Sequence, residues 1–564
     1  MTADILDLNE KRLERIPPGQ LAGELMRLPA KKRLELILDR PDAEAVVAAM
    51  NPNDFFYSVQ ELGPDDALPL LAIARTVQLN HLFDLEWWRK DTIEGAKALT
   101  WLERLSRASD RKLLEWVYHV DFALIIALFK QWINTAIAPE DVDIVEARET
   151  LPPTTLDDLY FWESKYPQYD ALITHMLTLI FEVNYNFFKE LMNHVLYASD
   201  SEVDEQAYHF HKARLADQAI PDFYEALDIY KPVNPGDLPK KYILARAEED
   251  LSAPSFALAL LREGDLLARV LAKMNNPELA DSLQFELAAL ANKVVVADQL
   301  PTDSPTALHQ GVEKALAYVS LGLEIQSGGD ERKAADIIGN TFLEYLFRLA
   351  QAEVAAIRGR MKKIVKSGWL AECPGGTKCL DREWYEAAEN LLAKTPKLLG
   401  HVSPGASGVL PREDFFRTQR DLARGSRVVD VVDAAGDLFR TLKVDLKTLE
   451  PSLWPEGQVR LVEDITLGVI ILTAAARFLT AGAWVAAPLL VRDWPKTFPL
   501  LQPPAMDRAV MDWAYRTMPD ADRRIPAEDY LISILRDYEF EMRPFSPENP
   551  PEPQLVKFLI FEQD

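Results

Sequence analysis

PGQLAGELMRLPAKKRLELILDRPDAEAVVAAMNPNDFFYSVQELGPDDALPLL, residues 18–71, decides the fold. Its prolines Pro18, Pro29, Pro41, Pro52 and Pro64 are spaced by 11, 12, 11 and 12 residues. Proline suits the first position of a helix, where its missing N–H would have had no partner. Each is followed by a short apolar set: Leu34, Ile37 and Leu38; Val46, Ala49 and Met50; Phe56, Val59 and Leu62; Leu68 and Leu71. The first two sets follow the i, i+3, i+4 spacing that gives a helix one apolar face. Asp42, Asn53, Asp65 and Asp66 follow the prolines, where exposed N–H groups and the helix dipole favour them. Helices this short cannot stand alone, so they must stack as repeat arrays do.

Outward from this ladder, 80–137 keeps the helical period and is rich in tryptophan (Trp87, Trp88, Trp101, Trp116, Trp132), a pattern that reads as core packing. Residues 147–158 read as a linker, with two prolines and three threonines. One aromatic helix is expected over 169–197, then a break at 198–204 and a second helix. Residues 230–240 and 399–411 are Gly/Pro-punctuated loops, and 543–553 holds five prolines before the apolar run 555–561, which suits a terminal strand or docking arm. The fold class is therefore all-α: an N-terminal superhelix of short Pro-initiated helices followed by helical bundle domains. The expected domains are 1–150 (superhelical), 155–370 (bundle), 380–542 (C-terminal helical) and 543–564 (Pro-rich extended tail).

The starts Leu28-Pro29-Ala30-Lys31, Arg40-Pro41-Asp42-Ala43, Asn51-Pro52-Asn53-Asp54 and Gly63-Pro64-Asp65-Asp66, with short Leu/Val/Met helices between, resemble the cytosolic N-terminal domain of the magnesium transporter E family over about residues 18–120. Related superhelices occur in flagellar motor switch protein G. The resemblance implies a superhelical fold. The multi-helix membrane domain and the CBS-type β–α pattern of that family are missing here, so no magnesium ligand is carried over. The whole chain is also similar to an uncharacterised bacterial family of unknown function, which implies no activity.

The chain of 564 residues has 62 Lys plus Arg against 88 Asp plus Glu, a net charge of −26. That balance argues against a nucleic-acid partner, because phosphates would be repelled over most of the surface. The basic stretch 358–366 (RGRMKKIVK) reads as one solvated helix face. Two cysteines in this length point to a reducing compartment, and the polar N-terminus MTADILDLNEKRLER is no signal peptide; together these predict a cytoplasmic protein. Residues 465–491 are long and apolar enough to span a bilayer, but Arg477 interrupts them, so a membrane partner is disfavoured.

The candidate metal ligands are His175, Glu182, Glu190, His194, Glu205 and His209. On one continuous helix, at about 100° per residue, His175 and Glu182 nearly coincide, with Glu190 and His194 about 60° and 100° away. Bundles build carboxylate–imidazole metal sites from such sectors, but Glu-x-x-x-His is also a common surface pairing. No cofactor is predicted; the ligand set would suit a divalent metal. Cys373-Pro-Gly-Gly-Thr-Lys-Cys379 could close a small disulfide loop, against the plainer reading of two reduced thiols on a surface loop. Residues 404–408 (PGASG) with Arg412 lack the Gly-Lys-Ser/Thr of a phosphate loop. No catalytic motif names a reaction. The leading reading is a helical scaffold or protein–protein interaction protein that uses the concave side of its array. The alternatives are a helical metal-dependent enzyme or regulator using the His/Glu cluster, and a membrane-associated protein anchored through 465–491.

Overall fold

In the computed structural model, the prolines of the ladder do three different jobs. Pro18 and Pro52 are the first residues of the helices Pro18–Leu25 and Pro52–Leu62. Pro29 is the residue before Ala30–Leu38. Pro41 and Pro64 sit in turns that precede Ala43–Ala49 and Leu68–Ile73, the latter with its own Pro69 in the first turn. The residues flanking each proline set the difference. The Asn51 side chain accepts the Asn53 N–H and starts a helix at once. After Gly63, with its left-handed φ of 90°, a backbone bond from Ala67 N to Gly63 O closes a turn first.

The structure describes residues 13, 16–139, 150–233, 236, 241, 253–373, 375–399, 413–442, 465–550, 552 and 556–562. They are predominantly helical, in two compact units, Met1–Arg348 and Leu349–Asp564. In the first, the expected apolar sets supply the core at Ile37, Val46, Met50, Phe56, Val59 and Leu71. One face differs: Leu38 is 44% exposed while Arg33 is 1% exposed, because Arg33 is fully hydrogen-bonded inside. Trp87, Trp101, Trp116 and Trp132 are buried, with Phe83 and Trp87 stacked at 4.3 Å.

Strand structure appears where the sequence reads as the end of a helical stretch and as a linker. Ile133–Ile137 pairs antiparallel with Tyr160–Ser164, which also pairs with Thr154–Thr155 inside the expected linker. The aromatic stretch is two helices, Asp170–Val183 and Tyr185–Tyr197, because the Asn184 side chain accepts the Phe187 N–H and restarts the chain. Two long helices follow, Pro277–Asp298 and Pro305–Ser327. A Cβ on Gly322 would lie 2.0 Å from the Leu346 carbonyl oxygen, so this contact admits only glycine.

In the second unit, Asp381 ties three segments together. Its carboxylate accepts from Thr466 Oγ1, Gly468 N and Tyr530 Oη at 2.6, 2.8 and 2.6 Å. The apolar segment 465–491 is one helix, Leu467–Ala481, ended by Gly482 in the left-handed conformation, then a loop and the strand Leu489–Leu490. No helix among the described residues is long and apolar enough to cross a membrane. Arg477 is half-buried, and among the described residues its guanidinium makes no hydrogen bond or ion pair. The terminal apolar run is a docking arm: Phe561–Glu562 pairs parallel with Leu489–Leu490, and the Ile560 N–H donates to Thr473 Oγ1. Within 358–366, Arg360, Lys363 and Lys366 face solvent, as a solvated helix face requires. Residues 404–408 and Arg412 lie outside the described residues.

Candidate functional site

The helix Pro52–Leu62 carries Asp54, Tyr57, Ser58 and Glu61 at i, i+3, i+4 and i+7, a polar stripe on a helix whose residues 52–60 are all buried. Burying so many polar groups is costly unless each finds a partner. Here they do. The Arg33 guanidinium donates to Leu25 O and Leu28 O at the end of the first helix, to Ser58 Oγ at 2.7 Å and to Glu61 Oε2 at 2.9 Å. Glu61 also meets His309 Nε2 at 2.8 Å. Burial pushes the Glu61 carboxyl up, but the His309 hydrogen bond and the Arg33 charge outweigh it and hold the group below its ordinary value.

Asp54 is fully buried and reads a distant segment. Its oxygens accept Ser255 N, Ser255 Oγ and Phe256 N at 2.8–2.9 Å. Burial raises its pKa from 3.8 to about 6 in spite of these donors. Phe256 then stacks on Tyr57 with ring centroids 4.1 Å apart.

Glu61 stands between two adjoining recesses of about 460 and 520 Å³, which also share Pro305. The smaller is walled by Glu86, Lys97, Trp101, Arg104 and Asp303. The nearly buried Glu86 carboxylate accepts Gln60 Nε2 at 2.7 Å and Trp101 Nε1 at 3.2 Å, with Lys97 Nζ 3.4 Å away. The larger is lined by Leu28, Arg33, Tyr57, Phe256 and His309. Volumes of this size admit side chains or a small ligand. The hydroxyls of Ser58 and Ser255 donate into the Asp54 carbonyl and carboxylate, so the chemistry on offer is ionic and hydrogen-bonded recognition over an aromatic floor.

The candidate metal ligands lie elsewhere. His175 Nε2 meets Asp110 Oδ2 at 3.0 Å. His194 Nδ1 contacts Glu190 O at 2.9 Å and its ring lies edge-on to Phe122. Glu182, Glu190, Glu205 and His209 are exposed. The break at Asn184 puts His175 and Glu182 on one helix and Glu190 and His194 on the next, so the sector calculated for one continuous helix does not apply. Among the described residues, no group of three or more His, Cys, Asp or Glu side chains is placed to hold a metal ion. The neighbouring His211 is buried, stacked on Trp88 at 4.2 Å and joined to Asp84, which Arg214 also clamps.

Sequence pattern does not single out Arg33, Asp54, Glu61, Glu86 or His309. The available signal is the stripe Asp54, Ser58, Glu61 inside a helix otherwise dense in Phe, Tyr and Val. The chain belongs to DUF6178, a family of unknown function, whose model matches residues 10–562. No curated protein and no solved structure matches it.

Proposed function

We infer that this member of the family is an interaction protein, and that the double recess around Glu61 receives an extended segment of a protein partner. The observation that carries the reading is the pair of recesses sharing Glu61 and Pro305, walled by the short helices together with Phe256, Leu260, Asp303, Thr306 and His309. Recesses in series suit successive side chains of one extended peptide. Glu61, Glu86 and Asp303 stand along this wall with Arg27, Arg33, Lys97 and Arg104, so the cleft offers both signs of charge to the polar side chains of a peptide. Trp101, buried beneath Arg104 at 5.2 Å, gives the cleft an aromatic anchor of the kind found at interaction hot spots.

A photoreactive benzophenone side chain placed in the full-length protein at Thr100 or Thr306 tests this in native extract, with Tyr224, 81% exposed, as the control position. The expected result is one partner cross-linked from both cleft positions and absent from the control. Equal labelling from all three positions, or none from the cleft, would overturn the reading.

A further inference from the structure

Cys373 and Cys379 are both reduced and both buried, at 6% and 3% exposure, and this corrects the surface-loop reading of their turn. The chain between them doubles back. Gly376 N donates to Cys373 O at 3.0 Å, Gly376 takes a left-handed φ of 54°, and Leu380 N closes the following turn on Thr377 O. The Cys373 thiol donates to Trp369 O at 3.5 Å, and the two sulfurs lie close enough for each to shift the other's titration, Cys373 up and Cys379 down. Both ends of the turn are fixed from inside the unit: Trp369 donates its indole N–H to Val432 O at 2.8 Å, and Asp381 accepts from Thr466, Gly468 and Tyr530. The thiols nevertheless lie only one residue deep, since Ala371, Glu372 and Lys378 around them are exposed. We propose that Cys373 and Cys379 are a dithiol modification site that a hydroperoxide closes reversibly to a disulfide.

Roles follow from the surroundings. The Cys373 S–H is donated to Trp369 O, which favours its protonated form, and pairing with Cys379 raises Cys373 while it lowers Cys379. Cys379 is therefore the attacking thiolate and Cys373 the resolving thiol. In the first step the Cys379 sulfur bonds to one peroxide oxygen and the O–O bond breaks. The sulfur is oxidised to a sulfenic acid, and the peroxide is reduced to an alcohol, or to water from hydrogen peroxide. In the second step Cys373 sulfur bonds to Cys379 sulfur, the S–O bond breaks, and the departing hydroxide takes the Cys373 proton as water. Two thiols and one hydroperoxide thus give one disulfide, one alcohol and one water. A disulfide that forms in this way on a reducing background is of the transient, sensing kind.

The test treats the folded, full-length protein with hydrogen peroxide, blocks remaining thiols and reads the peptides by mass spectrometry. Expected is a 373–379 disulfide, two hydrogens lighter, that dithiothreitol reverses. With a sulfenic-acid trap, Cys373→Ser should carry the label on Cys379, and Cys379→Ser should lose it. Blocking of both thiols after peroxide, sulfinic acid in place of the disulfide, or label of equal intensity on both single variants would overturn the proposal. Circular dichroism of the variants, unchanged from wild type, confirms that they are folded.

Discussion

Asp54→Asn removes the only charge change in the latch to Ser255 and Phe256 while keeping an oxygen that can accept the two backbone N–H groups. In the folded chain the carboxyl titrates at about 6, against 3.8 as its ordinary value. The native state therefore holds this proton more tightly than the unfolded chain does. Its contribution to stability is fully present below pH 3.8 and is lost as pH rises through 6. At about 1.4 kcal/mol per pKa unit the total is about 3 kcal/mol, of which about 2 kcal/mol falls between roughly pH 4.5 and 7.5. Asn does not titrate, so the wild type should lose about 2 kcal/mol more than the variant over that interval. Any hydrogen bond weakened by the amide shifts the variant's curve by a constant and leaves this difference intact. The assay is urea unfolding at several pH values, read by hydrogen exchange in the peptide covering residues 52–62. Parallel profiles for wild type and variant would show that the buried carboxyl keeps its ordinary pKa, and would refute the reasoning.

Two further predictions concern packing. Gly322→Ala places a methyl against the Leu346 carbonyl, a backbone atom that cannot swing away, and should cost about 1–3 kcal/mol in thermal or urea unfolding; an unchanged midpoint would contradict the close approach. Lys314→Met removes the ammonium that lies 2.7 Å from Asp298, whose side chain is 6% exposed, and should cost about 3–5 kcal/mol, whereas Lys314→Met with Asp298→Leu should recover most of that loss; a double variant as unstable as the single one would refute the ion-pair account.

Local signals made the helical architecture legible, and long-range pairing hid the rest. Proline spacing marked the short helices because the cost of proline away from the first turn is a property of the backbone alone. It did not fix which proline begins a helix, since Asn51 capping at Pro52 and the Gly63 turn before Leu68 act through neighbouring side chains and a positive φ. The strand Ile133–Ile137 was hidden for a different reason: a short strand is stabilised by its partner, here Tyr160–Ser164, more than by its own propensity. Asn184 was readable as a helix cap, and a cap inside an apolar period outranks the period. The cleft was least legible of all. Arg33 and Glu61 look like ordinary solvated charges on short helices; Arg33 finds its partners locally, whereas the chain returns to complete Glu61 with His309, 248 residues later, and Asp54 with Ser255, 201 residues later. A polar stripe on a helix rich in aromatic residues is the local trace of such a return. Asp54, Ser58 and Glu61 lie on the same helix as the buried Phe55, Phe56 and Val59, so packing closes over both faces. Ser58 is met locally by Arg33, but Asp54 and Glu61 also draw on segments the local sequence does not contain, at Ser255, Phe256 and His309, of which Phe256 and His309 line the cleft.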